Sequence, residues 1–239
     1  MAKTKQIRWA SCGCTHGDLL DRGAAEQFLS FLRDYKPDYI VHTGDAFDFA
    51  AIRKGASDEE KAISLMADFE HGMDFLESMF APFRRAKAKW LLLGNHDQRL
   101  LDLLESGSAI QKEFSQSLWD DIRHKLNRWG VGWKPYDSHA GVIKIGDTLF
   151  MHGYSHAVHA GHNMARSYKG NLVFSHTHRP ELINAPGWPS PFRVINHGCL
   201  RQLYPKFANR TTSTLGWGHG FSYGEFDENK VSNNRLMML

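Results

Sequence analysis

Trp90-Leu91-Leu92-Leu93-Gly94-Asn95-His96-Asp97 is the stretch that decides the fold. An apolar run of strand length stops on a glycine, and an amide, an imidazole and a carboxylate follow at once. The same design occurs earlier in the chain. Tyr39-Ile40-Val41-His42 leads to Gly44-Asp45-Ala46-Phe47-Asp48, and Ile7 to Ser11 leads through Cys12 and Gly13 to Cys14-Thr15-His16. Between these runs, Arg22 to Tyr35 carries Ala25, Phe28, Leu29 and Leu32 at helical spacing, and Pro37 ends it. Asp58 to Phe80 reads as one long amphipathic helix, with Ser57 and Glu60 placed as a capping box. Alternating strand and helix predicts parallel pairing through right-handed crossovers. Donor residues at the strand exits then gather on one rim of the sheet.

Beyond Asp97 the pattern changes. Residues 98–135 predict a helical insertion or cap within a single domain spanning 1–239. Its helix, Ile110 to Trp129, has Phe114, Leu118, Ile122, Leu126 and Trp129 on one stripe, with Lys112, Arg123, Lys125 and Arg128 elsewhere on its surface. Two readings stand: a packed helix with a solvated basic face, or a cap that grips substrate. From Trp133 onward short strands are expected at 141–145, 148–151, 172–175, 192–196 and 221–226, with a helix over His156 to Tyr168. They predict a second sheet packed on the first. Residues 229–239 read as a loosely held tail.

Composition narrows the class. The 239 residues are 42% hydrophobic and 23% charged, with a net charge of +3. That suits one folded domain and permits, without requiring, a polyanionic substrate. No apolar run approaches membrane-spanning length. Three cysteines are too few for a disulfide framework, so a reducing, cytoplasmic setting is expected. Five of the fourteen histidines (His16, His96, His152, His176 and His178) fall in short donor-rich segments. The last of these segments are His152-Gly153 and His176-Thr177-His178.

Taken in order, the five segments resemble the calcineurin-like metallophosphoesterases. The resemblance covers about residues 7 to 200. It implies a four-layer α/β/β/α sandwich and two metal ions (Fe, Zn or Mn) about 3.5–4 Å apart. It implies Cys14, His16, Asp45 and His178 around one ion, and Asp45, Asn95, His152 and His176 around the other. Asp45 is the bridge, and a metal-bridging hydroxide hydrolyses a phosphate ester. His96 would serve the leaving oxygen, oriented by Asp97, with Asp48 supporting a ligand or its loop. Arg99 and His197 are candidate substrate contacts. His42 is expected to pack. His156, His159 and His162 either form an exposed helix face or extend the acid–base machinery.

The chain departs from that family at Cys14, where the pattern has aspartate. Metal binding deprotonates a thiol, and a thiolate favours Fe or Zn over Mn or Mg. Three other readings are a lost ligand with one metal remaining, a zinc held by Cys12 and Cys14, and a cysteine nucleophile paired with His16. Cys12 is expected in the core. The resemblance implies a phosphate-ester partner and no membrane. The basic run Arg84 to Lys89 leans toward a phosphodiester of nucleotide or nucleic-acid type. The alternatives are a phosphomonoesterase, or a binding or scaffold protein with a degenerate site. The Tyr204 to Tyr223 stretch, with Arg210, Trp217 and His219, is similar to phage-encoded members.

Overall fold

A computed structural model describes residues 6–188, 190–204, 212, 214–227, 229 and 231–239. Strands β1 (Ile7–Cys12), β2 (Tyr39–His42) and β3 (Ala88–Leu92) run parallel, as their alternation with helices requires. Helix α1 (Arg22–Tyr35) links the first two. Asp21 starts it by accepting the Ala24 N–H.

The stretch from 58 to 80 is not one helix. It divides into α2 (Asp58–Lys61), which has the expected Ser57–Glu60 capping box, and α3 (Leu65–Phe80). Ser64 causes the break, because its hydroxyl accepts the Ala67 N–H and restarts the helix there.

Residues 98–135 hold α4 (Gln98–Ser106), α5 (Ala109–Trp129) and β4 (Val131–Lys134). They form the crossover that lays β4 parallel to β3. Helix α5 buries Leu118, Trp119, Ile122, Leu126 and Trp129 against the sheet, while Phe114 at its outer end is 41% exposed. The Arg84 to Lys89 run precedes and enters β3. It therefore lies at the edge opposite the strand exits, about 15–20 Å away by strand rise. Lys89 is buried there and donates to the Phe80 and Trp129 carbonyls.

The second sheet contains β5 (Ile143–Ile145), β6 (Thr148–Phe150), β7 (Asn171–Phe174), β8 (Pro180–Ala185) and β9 (Phe192–His197), in the order β5-β6-β7-β9-β8. Helix α6 (Ala160–Tyr168) starts later than expected, which leaves His156 and His159 on the preceding loop. Strand β10 (Gly220–Phe226) returns antiparallel to β1. The expected loose tail is instead β11 (Ser232–Met238), paired with β10 along its whole length. Asn234 ties it to the other sheet by donating to Thr148 Oγ1 at 2.8 Å. Arg210 lies outside the described residues.

Strand alternation sorts the core into three layers. Ala10, Cys12, Ile40 and Leu91 face α1, α3 and α5. Trp9, Val41, Leu92, Phe150, Val173 and Ile195 fill the space between the sheets. Leu172, Phe174 and Val194 meet α6. The result is the α/β/β/α sandwich. Its decisive property is that β1, β2, β3, β6 and β7 all end at the same rim.

Candidate metal centre

The exits of β1, β2 and β7 deliver their donors through strained turns. Among the described residues, eight non-glycine positions have positive φ, and five of them are Cys14, His16, Asp45, His176 and His178. Such backbone persists only where its surroundings hold it, and it concentrates at functional sites. The hold is visible here. The Cys14 N–H donates to Gly44 O at 2.8 Å, and the Thr15 and His16 N–H groups donate to Asp45 O at 2.9 and 3.0 Å. Gly94 must be glycine, since a Cβ there would meet Asp45 Oδ1 at 2.1 Å.

The donors form two groups that share Asp45. In the first, one atom each from Cys14, His16, Asp45 and His178 lies within 4.8 Å of every other. His16 Nε2 is 3.1 Å from His178 Nε2 and 3.7 Å from Asp45 Oδ2. In the second, Asp45, His152 and His176 meet the same limit. Asn95 Oδ1 is 3.1 Å from His152 Nε2.

For His152 and His16, hydrogen bonds on the outer side of the ring identify the free lone pair. His152 Nδ1 is 2.8 Å from the Thr43 carbonyl, so that nitrogen carries the proton. His152 Nε2 is therefore a bare lone pair, facing His176 Nδ1 at 3.0 Å and Asp45 Oδ2 at 3.3 Å. His16 Nδ1 donates to Asp48 Oδ1 at 2.7 Å, leaving its Nε2 bare toward His178. Buried lone pairs converging on a carboxylate are a donor set that fits cations. The ring charges agree. Burial, with Arg201 nearby, pushes His16 down to about 4, and burial beside His152 pushes His176 down to about 3. Burial also lowers His178. These are the neutral imidazoles that ligation requires.

Cys14 is fully buried within the first group, and its sulfur accepts the His176 N–H at 3.2 Å. Burial and the Asp45 charge raise its pKa. A cation at that position reverses this preference. Cys12 faces Met79 in the core, as expected. His42 packs too, with Nε2 3.1 Å from Thr15 Oγ1.

Two expected contacts are different in the structure. Asp97 does not meet His96. Its carboxylate accepts the backbone N–H groups of Asp45 (2.8 Å), Gly94 (2.8 Å) and Phe47 (3.0 Å), clamping two donor loops together. Asp48 orients His96 instead, with Oδ1 3.0 Å and the carbonyl oxygen 2.9 Å from Nδ1. Asp97, which the resemblance implied for this role, is turned away from His96 toward those backbone N–H groups. His197 does not reach the rim. It is fully buried between Thr43 Oγ1 (3.1 Å) and Ser222 Oγ (3.3 Å). Arg99 is near the centre, and its Nη1 donates to Asp48 O at 2.7 Å.

Two residues, Arg201 and Trp217, join the site without a sequence signal strong enough to find them, and His156 joins it by the second of the two readings open for it. The Arg201 side chain is 5% exposed, lies 3.9 Å from Asp48 Oδ1, and has no partner for Nε among the described residues. Trp217 lies edge-on to His178 and beneath the Arg201 guanidinium. His156 leans over His176, with Nδ1 2.9 Å from its Nε2. His156 stands four residues after His152, but that spacing implied a helix that begins only at Ala160.

A two-sheet α/β sandwich whose strand exits carry paired imidazole, carboxylate and thiol donors defines a metal-binding class of protein. The match to the calcineurin-like phosphoesterase family model extends over residues 7–210, and the chain belongs to that family. It is similar to the Gene 54 protein of Mycobacterium phage D29, 23% identical over 232 residues covering 88% of this chain and 86% of that protein. Among solved structures it is similar in fold to a single mutant of Vps29 from Entamoeba histolytica. That pair has a TM-score of 0.45 and 14% identity, with 98% of this chain and 99% of the other covered. It is also similar to Yfce, a phosphoesterase from E. coli, with a TM-score of 0.43, 12% identity and coverage of 96% and 98%.

Proposed function

We propose that the protein hydrolyses a phosphodiester of nucleotide or nucleic-acid type with the help of two bound cations. Cys14, His16, Asp45 and His178 would hold one, and Asp45, Asn95, His152 and His176 the other. The ions would supply positive charge for the phosphate oxygens and acidify water for attack. One water is consumed: a P–O bond to its oxygen forms, the P–O bond to the leaving group breaks, and a proton goes to the leaving oxygen.

The observation that carries the reading is the placement of His96. It sits at the rim, 22% exposed, with Nδ1 held by Asp48 and Nε2 without a partner among the described residues. Burial opposes charge on this ring, but Asp45 and Asp48 together outweigh it and raise its pKa. A protonated Nε2 facing the substrate can donate to the departing oxygen. A protein that only binds a partner has no need of such a group. Arg201 adds fixed positive charge beside Asp48.

The test is hydrolysis of bis-p-nitrophenyl phosphate and of oligonucleotides with Mn, Fe or Zn. His96→Ala should retain metal and lose about 10²–10⁴-fold in kcat, most for poor leaving groups. Equal loss for good and poor leaving groups would remove His96 from this role.

A further inference from the structure

Resting on that reading, we propose that the cavity on the far side of Arg99 is a subsite for a second phosphate, carried by the leaving group one nucleoside away from the bond cleaved. Its location supports this first. Arg99 forms part of the wall, and its guanidinium donates to the Asp48 carbonyl, the same oxygen that faces His96 Nδ1. The cavity therefore opens one side chain away from the group assigned to the leaving oxygen. A leaving group long enough to pass the Arg99 guanidinium would enter it.

Size is the second argument. The volume is about 920 Å³, near the top of the 300–1,000 Å³ that ordinary small-molecule sites occupy. A nitrophenyl or sugar group alone would leave much of it to water, whereas a nucleoside with a further phosphate would occupy more.

Charge is the third. Arg53, Lys54, Lys61 and Arg99 line the cavity, against Asp102 and Glu105. Glu60 already holds Arg53, at 2.6 and 3.0 Å, and Asp58 holds Lys61 at 3.1 Å. Among the described residues, Lys54 and Arg99 have no carboxylate within ion-pair distance. Arg99 stands at the inner end and Lys54 is exposed on the loop between Arg53 and the Ser57 capping box. Lys54 and Arg99 are thus the two cations of the wall that no carboxylate holds in direct contact, and they are the ones able to turn to an anion.

The wall also indicates what is not recognised. Ala51, Ile52, Ala56 and Leu103 are its apolar side chains, and no aromatic side chain lines it among the described residues. Base stacking has no platform there. The subsite reads a phosphate and tolerates any base.

The experiment compares the dinucleoside monophosphate of thymidine with the same molecule carrying an extra phosphate at its 5′ or its 3′ end, and with the trinucleotide. All are assayed with the full-length protein in Mn. One of the two end-phosphorylated forms should be cleaved with kcat/KM about tenfold above the parent, the value of one charge-assisted contact. Which form gains identifies the leaving oxygen. A gain shared by the trinucleotide means that interior diesters fill the subsite, and a gain confined to the end-phosphorylated form means a terminal phosphate does. Lys54→Ala should abolish the ratio. Lys144→Ala, an equal loss of charge on the edge strand of the other sheet, should keep it. Equal kcat/KM throughout, or a gain that survives Lys54→Ala, overturns the subsite. Cleavage of bis-p-nitrophenyl phosphate but of no dinucleotide also overturns it while sparing the phosphoesterase reading. Cleavage of neither ends both.

Discussion

Exchanging Asp48 for asparagine tests which carboxylate controls His96. The Asp48 carboxylate lies 2.7 Å from His16 Nδ1, 3.0 Å from His96 Nδ1 and 3.9 Å from Arg201 Nη1. Burial works against its charge, yet the two imidazoles hold its pKa well below the usual carboxylate range. Asparagine keeps the shape and the main-chain carbonyl that also faces His96, so the ring should stay in place. What disappears is a charged acceptor, worth about 1.5–3 kcal/mol per hydrogen bond. At about 1.4 kcal/mol per decade, kcat at saturating metal should fall about 10- to 100-fold. Weaker support of His16 should lower affinity for the first metal by a similar factor. Asp97→Asn should behave differently. Its amide can offer one oxygen to three backbone donors and turns an NH2 toward at least one of them, costing about 2–4 kcal/mol of stability. Stopped-flow turnover at saturating Mn, together with urea unfolding of both variants, separates the roles. Wild-type kcat in Asp48→Asn, or a large kcat loss in Asp97→Asn with an unchanged unfolding midpoint, would refute the assignment.

Cys14→Asp should remain folded and shift metal preference from Fe or Zn toward Mn or Mg, while Cys14→Ala should empty the first position and leave the second largely filled; elemental analysis that finds both metals retained in Cys14→Ala would rule out sulfur ligation. His197→Ala, which opens a hole beneath the rim and strands Thr43 and Ser222, should cost about 2–4 kcal/mol in denaturant unfolding with KM unchanged, and a raised KM at wild-type stability would return His197 to the substrate. Burial pushes Asp68 up to about 6, although two backbone N–H groups pull the other way. Its folded pKa thus exceeds its unfolded value, so its contribution to stability is complete below about pH 4 and is lost as pH rises through 6, by up to about 3 kcal/mol. Asp68→Asn should flatten that decline between pH 4 and 7, and an identical slope in the variant would disprove the assignment.

The donor segments were legible because four of the five directly follow a short apolar run, and a run that ends on Gly44 or Gly94 exposes whatever comes next. Periodicity likewise located α1 and α5, whose apolar stripes are local properties of a few turns. Weaker local signals misled. Ser64 looked like one polar residue within a helical pattern, but its hydroxyl competes for the Ala67 N–H and divides the helix. Ser232 to Asn234 has little strand propensity of its own. It becomes a strand because β10 presents an open edge and Thr148 accepts from Asn234.

By itself the sequence determined the donor types, their order along the chain and the parallel sheet that turns order into proximity. Only the tertiary structure decided which donor serves which neighbour. Asp48 lies 48 residues from His96 and Asp97 only one, yet Asp48 holds the ring. The turn after β3 points the Asp97 side chain inward to the backbone N–H groups of two loops, while the turn after β2 brings Asp48 across to His96. Arg201 entered the site the same way, from a segment distant in sequence, and His156 leans back over His176 from its loop. Hydrogen bonds and charges act over a few ångströms of space and are indifferent to separation along the chain, so a pairing between loops exists only once the sheets have brought the loops together.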